Sequence, residues 1–129
     1  MILISHRGNI NGRLVPFENQ PNYIDTAIAA GYDVEIDVWY EVESGKLYLG
    51  HDKADYQIDI DWLDERSDKL WIHCKNMDSL SYFNKINTFG PEYNYFSHDK
   101  DMGVLTSYGY IWSTNLYDNG ILVLPEVFE

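Results

Sequence analysis

The sequence predicts an α/β fold whose short buried strands run parallel and deliver polar side chains to one end of a sheet. Two observations predict it. Apolar runs short enough to be buried strands recur at Ile2-Leu3-Ile4-Ser5, along Asp33 to Val38, at Leu47-Tyr48-Leu49 and at Leu70-Trp71-Ile72. Runs of this length and composition suit strands covered on both faces by helices. The runs also carry or end in chemistry: His6-Arg7-Gly8, the pair Glu35 and Asp37, His51-Asp52, and His73-Cys74-Lys75-Asn76. Imidazoles, carboxylates and cations gathered where parallel strands end are the layout of a site at the mouth of a barrel or at the carboxyl edge of an open sheet.

Taken in order, the first strand leads into a polar loop from Asn9 to Pro21 that contains Gly12 and Pro16. Its place after a strand suits a substrate loop. Pro21 fits the first turn of a helix over 22–30, and Gly31 fits its end. A strand over 33–40 follows. Glu43-Ser44-Gly45-Lys46 reads as a tight turn, so 47–50 returns antiparallel or as a short extension. Asp59 to Arg66 reads as a short amphipathic helix, 69–74 as a strand, and Asp78 to Ile86 as another helix. Further strands are expected over 93–97, where His98 follows, and over 109–113 and 121–124. The last five residues read as a surface tail.

The chain has 129 residues, enough for a single domain over 1–129. It is 45% hydrophobic and 16% aromatic, ample for a core. Its formal charge of −12 argues against nucleic-acid binding, which needs a basic face. The same charge argues against unassisted attraction to anionic membranes. No apolar stretch approaches spanning length, so membrane insertion is not expected. One cysteine, Cys74, excludes an internal disulfide and fits a reducing, cytoplasmic setting. No signal peptide is visible before His6.

Glu35 and Asp37 stand two apart, so an extended chain sends both to one face. Two carboxylates that close repel one another unless a cation lies between them, and hard oxygen donors favour Mg²⁺ or Ca²⁺. His6 and His51 suit a general acid and base. Arg7 and Lys75 suit an anionic oxygen. A metal, two imidazoles and two cations describe phosphodiester cleavage better than acyl transfer or redox chemistry. Each feature also has a plainer reading: a turn after an edge strand, a solvated strand face, an Asp capping a turn, a histidine lining a core.

His6-Arg7-Gly8, Glu18-Asn19, the helix end Ala27 to Gly31, Glu35-Ile36-Asp37 and His51-Asp52 occur in the order found in the glycerophosphodiester phosphodiesterases, and the chain resembles that family. The match runs from His6 to Asp52 and, more loosely, to Lys75. The resemblance implies His6 and His51 as the catalytic pair and Glu35 and Asp37 as metal ligands. It makes Arg7 and Lys75 phosphate-binding residues, and Glu18 a ligand or a partner of one. Where the family carries Glu-x-Lys this chain has His73-Cys74-Lys75, so His73 replaces a carboxylate ligand and admits Mn²⁺ or Zn²⁺.

The resemblance further implies a TIM-type (β/α) barrel and a small-molecule phosphodiester substrate. An eight-stranded barrel takes about 250 residues, so the expectation is a reduced or incomplete barrel with helices mainly in its first half, or one completed by a homodimer partner. A non-catalytic phosphate-binding module or a structural remnant is the alternative on the same scaffold.

Overall fold

In a computed structural model, residues 2–87, 92–97, 103–108, 111–113 and 120–124 are described. Strand β1 (Ile4–His6) leads through a 3-10 turn at Val15–Phe17 to helix α1 (Pro21–Ala29) and then β2 (Asp33–Glu41). Pro21 opens α1, and Gly31 lies just past its end at φ +99°, a left-handed position that favours glycine. A hairpin adds β3 (Lys46–Leu49) and β4 (Tyr56–Ile58). Helix α2 (Ile60–Arg66) is capped by Asp59, whose side chain accepts from Trp62 N at 2.9 Å. Strand β5 (Leu70–Cys74) follows, then α3 (Met77–Ile86), which begins with a reciprocal cap between Asn76 and Ser79. The remaining strands are β6 (Asn94–Phe96), β7 (Gly103–Leu105), β8 (Ile111–Ser113) and β9 (Gly120–Leu124).

Alternation along β2 and β5 creates two faces of opposite character. Val34, Ile36 and Val38 register with Leu70, Ile72 and Cys74, and all six are buried. Ile24 and Ala27 of α1, Leu63 of α2 and Phe83 of α3 join them in the core. Burying each large aliphatic or aromatic side chain of this set is worth about 1.5–3 kcal/mol. Arg66 of α2 ties that helix to Asp25 of α1 with hydrogen bonds of 2.6 and 3.1 Å. The other face carries His6 against Glu35, Glu35 against Trp71 and Asp37 against His73. A slip of one residue in register would exchange the two faces, so the apolar packing fixes where the polar groups point.

The expected reduced or incomplete TIM-type barrel is overturned: the sheet is mixed and does not close. Its parallel strands run in the order β8-β9-β1-β2-β5-β6, with β3 and β4 added antiparallel and β7 antiparallel to β8. The nine residues of β2 explain the branching. Val34 pairs with both β1 and β5, and Val38 with both β3 and β5, so β1 and β3 share one edge of β2 in succession. Closure into a barrel needs a full staggered ring of strands, and the parallel set stops short of one. Five residues separate β7 from β8, enough for a hairpin and too few for a helical crossover.

The antiparallel return of residues 46–49 and the helices near 60–66 and 77–86 agree with the sequence reading. The sequence reading does not include β4 or β7. Ser107 partly satisfies the edge of β6, donating its N–H to Tyr95 O at 3.0 Å and accepting from Tyr95 N on Oγ at 3.0 Å. His98 and the carboxy-terminal 125–129 lie outside the described residues. No helix among the described residues is long and apolar enough to cross a membrane.

Candidate metal centre

The polar face of β2 and β5 brings three donor side chains together. Glu35, Asp37 and His73 each offer a donor atom, all within 4.8 Å of one another. Donors sharing one ion at about 2.4 Å stand at most about 4.8 Å apart, so the group can hold a metal ion. Glu35 and Asp37 are 1% and 0% exposed. Asp37 Oδ1 is buried, receives no well-aligned hydrogen bond among the described residues, and faces His73 Nδ1 at 3.1 Å. At that separation a proton or a shared cation joins Asp37 Oδ1 and His73 Nδ1. Two carboxylate oxygens and an imidazole nitrogen make a chemically sound donor set for a divalent ion.

Arg7 sits beneath this group. Its backbone takes φ +59° at the end of β1, where Arg7 N donates to Glu35 O and Arg7 O accepts from Asn19 N. Gly8 completes the turn at φ +97°, and a Cβ there would come within 2.6 Å of the Tyr23 ring. The guanidinium places Nε 3.0 Å from Asp37 Oδ2 and donates Nη1 to Glu18 Oε1 at 3.1 Å. Burial opposes the cation, but Asp37, Glu35 and Glu18 outweigh it and raise the Arg7 pKa above its ordinary value. Burial likewise opposes the Asp37 anion, yet His51, His73, Arg7 and Asn19 hold it well below the usual carboxylate range.

Glu18 spends its oxygens on Arg7 and on Asn9, whose Nδ2 donates at 2.7 Å. It therefore lies outside the three-donor group and acts on it through Arg7. Asn19, at φ +66°, donates Nδ2 to Asp37 Oδ2 at 2.9 Å and accepts from Asp37 N at 3.0 Å. Asn9 accepts from Leu14 N and from the Tyr23 hydroxyl. These two asparagines were given no role from sequence. Asn19 was visible only as part of the Glu18-Asn19 motif, and Asn9 carried no signal.

His51 approaches from the loop after β3. Its Nδ1 lies 3.6 Å from Asp37 Oδ2 and its Nε2 lies 3.4 Å from Arg7 Nη2. Arginine can only donate, so that contact fits the tautomer with Nε2 bare and the proton on Nδ1 toward Asp37. Gly50 sets the loop, with its N–H on Asp37 O at 3.1 Å and its carbonyl accepting from Trp39 Nε1 at 2.7 Å. A Cβ at Gly50 would run into the carbonyl of Lys53. Gly50→Ala is therefore expected to cost about 2 kcal/mol or more and to displace His51, which urea unfolding and the His51 imidazole NMR shifts would report.

His6 presents Nε2 to Glu35 Oε2 at 3.2 Å. His6, His51 and His73 thus each meet Glu35 or Asp37. Lys75 continues past β5, its N–H bonded to Val38 O at 2.9 Å, and its ammonium makes no ion pair among the described residues. Cys74 faces the apolar side, and burial pushes its thiol up to about 12, so it is no nucleophile. A cavity of about 410 Å³ opens beside the centre, with Arg7, Arg13, His51 and Val15 among its walls. In comparisons with family models, curated proteins and solved structures, the chain matches none.

Proposed function

We propose that the chain is a metal-assisted hydrolase of small phosphodiesters, of the kind cleaved by the glycerophosphodiester phosphodiesterases it resembles. The observation that carries this reading is the meeting of Glu35, Asp37 and His73, with Asp37 also facing His51, which lines a neighbouring cavity together with Arg7 and Arg13. Glu35, Asp37 and His73 would hold the ion. The two carboxylates suit Mg²⁺ or Ca²⁺, and the imidazole extends the range to Mn²⁺ and Zn²⁺. When bound, the ion supplies Lewis-acid stabilisation of charge on the phosphoryl oxygens.

The chain's own groups supply the rest. His51 would accept the proton of a nucleophile that takes the place of the Arg7 Nη2 contact at Nε2, with its Nδ1 facing Asp37. His6 returns a proton to the leaving alkoxide. Arg7 would offset negative charge at the inner wall, and Lys75, just past the end of β5, would serve a phosphate oxygen. A cytoplasmic setting fits the lone free cysteine.

Turnover of bis-p-nitrophenyl phosphate tests the reading. The protein should show activity with at least one of Mg²⁺, Ca²⁺, Mn²⁺ or Zn²⁺ and none after chelation with EDTA. Folded protein that binds phosphate but turns over nothing with any of the four ions would move the reading to a phosphate-binding module.

A further inference from the structure

The loop from Arg13 to Phe17 presents an apolar tip that the proposed chemistry does not use. Leu14, Val15 and Phe17 are 46%, 63% and 49% exposed, and none of the residues of the 3-10 turn is buried. The tip is nonetheless held in place. Leu14 N donates to Asn9 Oδ1, Phe17 N to Leu14 O, and Gln20 Nε2 to Pro16 O. An ordered turn that spends large apolar side chains on water calls for an apolar occupant.

Through Val15 and Pro16 the tip borders the cavity that Arg7 and His51 line. One turn is far smaller than the roughly 800 Å² per partner of a stable protein interface, which disfavours a second copy. A net charge of −12 disfavours a flat anionic bilayer.

We infer that the substrate is a single-chain amphiphile, a phosphodiester whose one alcohol carries an alkyl or acyl chain that lies along Leu14, Val15 and Phe17. This rests on the phosphodiester reading above and narrows its substrate class.

Titration calorimetry on the metal-loaded protein tests it with two zwitterionic phosphodiesters that share a phosphocholine group: dodecylphosphocholine, kept below its micelle concentration, and glycerophosphocholine. Wild type should bind the dodecyl compound at least tenfold more tightly, a difference that burial of about two methylenes supplies. In Leu14→Ser/Val15→Ser the ratio should fall below threefold. Dodecyltrimethylammonium, with the chain and no phosphate, should bind at least tenfold more weakly than dodecylphosphocholine. Equal binding of the two diesters by wild type, a ratio unchanged in the double variant, or equal binding of the phosphate-free chain overturns the inference and leaves the phosphodiester reading standing. Failure of both diesters to bind overturns the two together.

Discussion

Asp37→Ala is expected to destabilise the metal-free protein by about 3–5 kcal/mol, the usual cost of removing one partner from a buried ion pair. Asp37 is fully buried, and its carboxylate faces the Arg7 guanidinium at 3.0 Å and accepts from Asn19 at 2.9 Å. Alanine would strand a buried cation and a buried amide together, leaving the Arg7 guanidinium with Glu18 and the longer contact to His51. The urea midpoint in EDTA at pH 7 should fall on the order of 2 M.

The pH dependence follows from the sign of the shift. Because the folded pKa of Asp37 is lowered despite its burial, its contribution is fully present above the ordinary aspartate value of about 3.9 and is lost as pH falls from there through the folded value. The advantage of wild type over Asp37→Asn should therefore shrink as pH falls below about 4. An advantage that grew as pH fell below about 4 would contradict the charge assignment.

The second large effect is on rate. His51→Ala and His6→Ala should each lower metal-dependent turnover of bis-p-nitrophenyl phosphate by roughly 10²-fold or more, the contribution of a positioned base or acid. Stability should change far less in His51→Ala than in Asp37→Ala, because the His51 side chain is 42% exposed. His6 is nearly enclosed, so its loss should register in both measurements. A His51→Ala protein that retained near wild-type turnover would remove His51 from the chemistry.

The sequence was legible where several signals agreed. The alternation of Val34, Ile36 and Val38 with Glu35 and Asp37 told both that the segment is a strand and that its carboxylates share a face. Pro21, Gly31 and Gly45 punctuated the elements correctly because each sits where backbone geometry demands it. The architecture was less legible. Which strands pair, and whether a ring closes, depends on contacts between distant segments that no local pattern records. The branching at β2 arises only because that strand outruns β1 by enough to accept a second neighbour on the same edge. The supporting shell was hidden for a similar reason: Asn9 and Asn19 matter through hydrogen bonds to residues 9 to 18 positions away. Glu18 stood in the motif, yet its commitment to Arg7 and Asn9 depends on how the 3-10 turn folds back.

Divalent-ion binding at Glu35, Asp37 and His73 is open to direct measurement. Protein stripped with EDTA and titrated with Mn²⁺ should take up one equivalent, and at a hundredfold excess over the dissociation constant its melting temperature should rise on the order of 10 °C. Glu35→Gln and His73→Ala should remain folded and lose both the heat of binding and the thermal shift. Wild-type protein that binds no divalent ion at millimolar concentration, or variants that bind as tightly as wild type, would contradict a metal centre at Glu35, Asp37 and His73.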